Sequence, residues 1–478
     1  MIHALVTAQS VIEAPANDYG LALPEIIMLS AICAILIIDL FVSQNKRIIT
    51  YLLTQATLIG LAIYTIHYIL HISTATEYTF NDSFIRDFKG DVLKIAIYII
   101  CFLVFLYSKD YLRERRLFKG EYFVIGLFGV LGMMIMVSAA SMLILYLGLE
   151  VMSLSLYAMV AFNRKSSVAS EAAMKYFVLG AIASGMLLYG ISIIYGVTGY
   201  IGIGEISNYL GELAKSETNM PLSLVFGLVF ILIGIAFKLG AVPFHMWVPD
   251  IYHGAPTSVT LYIGSITKIA AFAMVVRLLV DGLGPMHKEW TQILVVLSIL
   301  SLAVGNIVAI AQTNIKRMLA YSTISHIGFL LLGFIAANEN GYSASMFYVI
   351  TYAIIAAAAF GLIILFSRKG FESDNLNDFK GLNERHPWYA FMMLIVMFSL
   401  AGVPPTVGFF AKLHVLQALI KADIGLTWLA IVAVSFAIIG AFYYIRVIKL
   451  MYFDKPVTED NTPITAGADM HIVLSVNC

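Results

Sequence analysis

The sequence predicts an all-α polytopic membrane protein of 13–14 transmembrane helices, in two inverted five-helix repeats with discontinuous helices at the repeat breaks. Three observations lead there: composition, the length of the apolar runs, and two similar interruptions in distant spans. Hydrophobic residues make up 60% of the 478 residues and charged residues 12%, with a mean hydropathy of +0.90. A soluble domain of that make-up would lack the polar surface to cover itself. The 29 basic and 29 acidic residues balance, which gives no argument for nucleic acid or a strongly charged partner.

A hydrocarbon core of about 30 Å requires roughly 20 apolar residues per helix. Runs of that kind lie near 21–42, 48–70, 91–108, 121–139, 141–162, 169–197, 222–245, 257–280, 291–312, 318–336, 343–367, 388–421 and 425–453. Another apolar run opens at Asp469. The amino-terminal stretch has Glu13 and Asp18 but no basic segment, which argues against a cleaved leader.

Most Lys and Arg residues outside the spans fall in alternate loops, at 46–47, 109–119, 164–165, 316–317, 368–369, 380–385 and 446–455. The opposite loops keep Arg86, Lys89, Lys94, Lys215, Lys288 and Lys421. By the positive-inside rule the amino terminus is outside. Lys175, Lys238, Lys268, Arg277 and Lys412 remain for the spans.

The stretch from Phe237 to Lys268 concentrates the anomalies: two lysines, a histidine, and a helix interrupted by glycines and by Pro243 and Pro249. A charge at the bilayer centre costs about 2.5–3.5 kcal/mol on insertion scales, and non-helical backbone there must be covered by protein or a wet cavity. Both in one place point to ion movement. The heptapeptide Phe237–Pro243 (FKLGAVP) is echoed by Phe398–Pro404 (FSLAGVP) five spans later. An odd separation reverses the orientation, as in inverted repeats with broken helices at an ion site. The expected division is 1–120 for helices 1–3 and a cytoplasmic loop, 121–280 and 291–453 for the two repeats, and 454–478 for a loop and a shortened last helix.

Glu150 lies midway along its span, with Tyr146, Ser153 and Tyr157 at helical spacing. Lys175 is its expected partner, against the structural alternative of an i, i−4 ion pair with Glu171. Gly180, Ser184 and Gly185 read as packing positions. Lys238 stands just before the break, where freed carbonyls and water can solvate it. Lys268 follows Ser258, Tyr262 and Ser265 on one face. His245 either relays protons or hydrogen-bonds freed backbone; His326, with Ser322 and Ser325, is a candidate bridge between the halves; Lys412 follows the second break. Arg277 is expected to snorkel, and Glu25 and Asp39 to make subunit or structural contacts. A His245–His253 metal site lacks completing ligands. Cys33, Cys101 and Cys478 have no CxxC spacing, and Gly199, Gly202 and Gly204 follow no strand, so they form no nucleotide fingerprint.

At these residues the sequence resembles the antiporter-like membrane subunits of respiratory complex I, the bacterial proton-translocating NADH:quinone oxidoreductase. The segments LYLGLEVMSLSLYAMVAFNR around Glu150, EAAMKYFVLGAIASGMLLYG around Lys175, FKLGAVPFHMWVPDIYHGAPT around Lys238 and SLAGVPPTVGFFAK ending at Lys412 carry the likeness. The resemblance implies a proton input pair of Glu150 and Lys238 with Lys175 beside it, a bridge at Lys268, and an exit through Lys412. The M-type branch places glutamate where Lys412 stands, and the L-type adds a long lateral helix. It further implies no cofactor in this chain, FMN, iron–sulfur clusters and quinone in partner subunits, M-type and K-type neighbours, and a place in the bacterial inner membrane with a periplasmic amino terminus. An Mrp-type cation/proton antiporter subunit is the alternative, to be recognised by sodium dependence without NADH. A non-conducting scaffold is a third, to be recognised by unchanged stoichiometry in lysine variants.

Overall fold

The computed structural model describes residues 17–216, 220–367, 370–455 and 467–478. Glu13, Arg368 and Lys369, which entered the leader and orientation arguments, lie outside the described residues.

The first spans are α1 (Leu23–Phe41) and α2 (Ile48–His71), followed by a hairpin of β1 (Glu77–Thr79) and β2 (Phe84–Arg86). Then come α3 (Phe88–Glu114), α4 (Gly120–Val137), α5 (Met142–Val160) and α6 (Ser167–Thr198). A short α7 (Ile203–Lys215) precedes α8 (Leu222–Leu239), α9 (Trp247–Gly254) and α10 (Thr257–Val275), which runs on as a π-helical segment Val276–Gly282. The remainder is α11 (His287–Ile310), α12 (Ile315–Ile335), α13 (Glu339–Phe366), α14 (Leu382–Arg385), α15 (Pro387–Ala401), α16 (Val407–Lys421), α17 (Thr427–Tyr452) and α18 (Ala468–Asn477).

Among the described residues twelve helices are long and apolar enough to cross a membrane. The broken pair α15/α16 supplies the thirteenth expected span. Helix starts are fixed locally: Asp87, Ser166, Asn314 and Asn338 each accept a hydrogen bond from a first-turn backbone N–H, which satisfies a donor the helix itself cannot. Helices α10, α12 and α13 form the enclosed centre, whereas α1, α6 and α17 leave large apolar side chains on the surface. In a bilayer those side chains face lipid or another subunit.

The two breaks share one hydrogen-bond pattern. At the first, Gly240 N–H donates to Ala236 and Phe237 O, and Ala241 N–H donates to Ala236 O. At the second, Gly402 N–H donates to Phe398 and Ser399 O, and Val403 N–H donates to Phe398 O. Both glycines are left-handed, with φ of 82° and 83°, a conformation that costs a residue with a Cβ. This geometry matches Gly240 to Gly402. The sequence echo, which matched Phe237 to Phe398, is therefore displaced by one residue, and Lys238 stands opposite Leu400. Pro249 does not interrupt the chain; it is the third residue of α9, where its missing N–H has no helical acceptor to lose.

Candidate functional site

Lys238 lies in the last turn of α8, buried, and its Nζ donates to Ser153 Oγ on α5 at 2.7 Å. Ser153 is one helical turn from Glu150. The Glu150 carboxylate is half-buried and accepts from Ser184 on α6, whose hydroxyl also lies 3.3 Å from Tyr146 OH. Ser184, expected as a packing residue, is thus Glu150's hydrogen-bond partner. Among the described residues no ion pair joins Glu150 to Lys238 or Lys175. Lys175 turns elsewhere: Nζ is 2.9 Å from Glu171 and 3.2 Å from Asp250 on α9, and its side chain is 46% exposed. Asp250 also holds Arg317 at 3.0 Å. The expected Glu150–Lys175 pair is replaced by a Glu171–Lys175–Asp250–Arg317 row, because Lys175 sits only about two turns inside α6 and finds carboxylates there.

Lys268 is the most enclosed charge, with 0% exposure. Its Nζ donates to Leu239 O at 2.9 Å, the carbonyl immediately before the first break, and lies 5.4 Å from the centroid of the Trp247 ring. Lys412 repeats the arrangement. Its Nζ donates to Ala401 O at 2.8 Å and Leu400 O at 3.1 Å, 5.1 Å from the centroid of Phe329. Ala401 precedes Gly402 as Leu239 precedes Gly240, so each break offers its terminal carbonyl to a lysine. The helix end supplies partial negative charge to match.

His326 on α12 occupies a polar cluster of its own. Nδ1 is 2.7 Å from Tyr348 OH and Nε2 is 3.2 Å from Tyr444 OH. Tyr444 OH meets Ser322 Oγ at 2.5 Å, and Tyr352 OH meets Thr323 Oγ1 at 2.7 Å. Asn306 on α11 donates to Ser325 Oγ at 2.8 Å. His245, just after the first break, is buried beside the backbone of Pro243.

Several charged positions depart from expectation. Arg277 does not snorkel; it is 4% exposed and bound to Asp87 and Asp281. Burial pushes the Asp87 carboxyl up, but the Arg277 guanidinium outweighs it and holds the pKa below the usual carboxylate value. Lys94 belongs to α3 rather than to a loop, and pairs with Glu25 at 2.7 Å. Glu25 in that pair, and Asp39, which accepts from Thr50 Oγ1 at 2.6 Å, make structural contacts of the kind expected. Lys316 at the start of α12 is also buried. Sequence reasoning missed Asp250, Tyr348 and Tyr444 as partners. A carboxylate inside the short segment after a break was a usable signal for the first. The tyrosines, 22 and 118 residues from His326, gave none. Among the described residues no three histidine, cysteine or carboxylate side chains gather as a metal site.

Residues 139–439 match the family described as NADH:quinone oxidoreductase/Mrp antiporter, TM. NADH-quinone oxidoreductase subunit N of Thioalkalivibrio sulfidiphilus is 62% identical over 460 residues, covering 96% of this chain and 94% of that protein. A chain of respiratory complex I from Thermus thermophilus superposes with a TM-score of 0.78 at 25% identity, covering 95% and 96% of the two chains. A chain of the Mrp complex from Dietzia sp. DQ12-45-1b gives 0.79 at 21% identity, over 93% and 82%, a likeness of fold. The chain belongs to the NADH-quinone oxidoreductase subunit N family, among the antiporter-like membrane subunits of complex I.

Proposed function

We propose that this chain conducts protons across the membrane as a subunit of NADH:quinone oxidoreductase, driven by electron transfer from NADH to quinone in other subunits. The observation that carries the proposal is Lys268: an ammonium with 0% exposure whose hydrogen bond goes to a backbone carbonyl. An unneutralised buried charge is destabilising. A group that can exist with or without its proton, placed at a helix break, has a use that offsets this cost. FMN and iron–sulfur clusters belong to partner subunits in this proposal.

The route begins at Glu150 and Lys238, linked through Ser153, with Lys175 and its carboxylates on the exposed flank of α6. A charge change in an adjoining subunit acts on that flank, and M-type and K-type subunits are the proposed neighbours. Lys238 then passes a proton to Lys268. Water, His245 and the His326–tyrosine cluster bridge the interval to Lys412, which releases the proton outside. In this proposal 121–280 and 291–453 are inverted halves, and the amino terminus lies in the periplasm of the bacterial inner membrane.

NADH-driven quinone reduction and proton uptake, measured in inverted membranes carrying Lys238→Ala, test the proposal. Both are expected to fall; proton uptake and quinone reduction both at wild-type rates would sink it. Loss of a sodium-dependent exchange in membranes without NADH, with NADH oxidation intact, would instead identify an Mrp-type antiporter.

A further inference from the structure

We propose that the aromatic faces of Trp247 and Phe329 stand in for counter-ions at Lys268 and Lys412. Both are positioning residues, which hold an ammonium against a helix-end carbonyl yet let its proton go. The inference rests on the proton-conducting role proposed above. Both lysines donate to backbone carbonyls, and among the described residues neither has a carboxylate partner. Each also lies over a buried ring: Lys268 Nζ is 5.4 Å from the centroid of Trp247, and Lys412 Nζ is 5.1 Å from that of Phe329. Within about 6 Å the electron-rich face of a ring attracts a cation, and more strongly where water is excluded.

Each ring is backed by a tyrosine. Trp247 opens α9 and stacks on Tyr176 of α6, with centroids 4.8 Å apart and planes at 12°. Its Nε1–H donates to Phe237 O at 2.9 Å, in the last turn of α8. Phe329 of α12 stacks on Tyr348 of α13 at 6.2 Å and 14°. Phe329 has no N–H to donate, so the ring face is what the two sites share. That chemistry suits a group that gains and loses a proton in turn. A carboxylate in contact favours the charged lysine, and is itself left as an unpaired buried charge when the proton departs. A ring face attracts the ammonium without a net charge of its own, so no ion is stranded. Lys94 shows the contrast. It lies 5.5 Å from the centroid of Phe84, but Glu25 stands 2.7 Å from its Nζ, and the two form a fixed ion pair.

The test uses fluorinated analogues, which draw electron density from the ring face at nearly constant size. Whole complexes carrying mono- to tetrafluorotryptophan at position 247, or mono- to trifluorophenylalanine at position 329, are assayed in inverted membranes for NADH-driven quinone reduction and proton uptake. Both rates are expected to fall with each added fluorine, several-fold across either series. Trifluorophenylalanine at position 84 should leave them unchanged. Phe329→Leu should fall as far as the most fluorinated ring, and Phe329→Tyr should stay near wild type; where Phe329→Leu fails to assemble, the near-isosteric fluorinated series decides. Wild-type rates with the most fluorinated rings in place would overturn the proposal. So would a loss of one size at every degree of fluorination, which marks packing alone. Failure of the proton-conducting role itself would show separately, as wild-type rates in Lys268→Met.

Discussion

The two helix breaks have the same backbone and different lysines. At the first, Leu239 O is capped by Lys268 from the next long helix, in full burial. At the second, Ala401 O is capped by Lys412 from the second half of the same broken helix, and that side chain is only half-buried. The first charge is held by tertiary packing at the centre of the molecule. The second is held locally and stands nearer the surface. The difference suits a route whose middle must retain a proton and whose end must release one.

The comparison breaks most sharply at Lys412. Lys412→Arg keeps a permanent cation on the Ala401 carbonyl but cannot release its proton. NADH-driven proton uptake should fall by on the order of 10²-fold, the scale for loss of a positioned proton-transfer group, with helix content and thermal stability close to wild type. Uptake at the wild-type rate would reduce Lys412 to a structural cap.

The glycines sharpen it next. Alanine at either position meets the left-handed cost of about 1–2 kcal/mol, but the surroundings differ. At Gly240 the new methyl would meet Val248 Cγ2, inside the packed centre; at Gly402 it would meet the flexible Lys412 side chain. Thermal unfolding in detergent should show Gly240→Ala as the more destabilised, whereas Gly402→Ala should lose transport out of proportion to its stability. Equal losses in both would mean that the breaks are interchangeable scaffolds.

Which parts of this were legible in the sequence follows from the range of the signals. Span positions and both breaks depend on local composition, so apolar length and the Gly–Pro runs located them. Lys238, Lys268 and Lys412 stood out because charge is rare in such runs. The echo of FKLGAVP in FSLAGVP is one residue out of step with the backbone match of Gly240 to Gly402, because that similarity is chemical, whereas the backbone match is set by which glycine turns left-handed. Helix α7 escaped because it has 13 residues, too few to span. Asp87 and Arg277 are 190 residues apart, and no local pattern distinguishes such a clamp from a snorkelling arginine at a helix end.

A smaller effect is expected at acid pH at the Asp87–Arg277 clamp. Asp87 faces Arg277, with Asp281 and Lys89 close by, and its carboxyl is held below the ordinary value. A depressed carboxylate stabilises the fold above its unfolded pKa of about 3.9, and that contribution is lost as pH falls through the folded value. Wild type should therefore lose thermal stability relative to Asp87→Asn as pH drops below about 4; parallel profiles would contradict the clamp. The smallest effect belongs to Asp250→Asn. That side chain is 37% exposed, so separating it from Lys175 and Arg317 should cost under about 1 kcal/mol in thermal unfolding. A much larger loss would place the flank, rather than the buried lysines, at the centre of the fold's electrostatics.

The most direct measurement is the number of protons taken up per quinone reduced by vesicles whose complex carries Lys268→Met. Methionine fills the space and removes the charge, and replacing an unneutralised buried ion with an apolar side chain need not reduce stability. An assembled complex with proton uptake reduced and stability retained is the predicted result. Full proton uptake per quinone from an assembled Lys268→Met complex would contradict the relay through the centre of this chain.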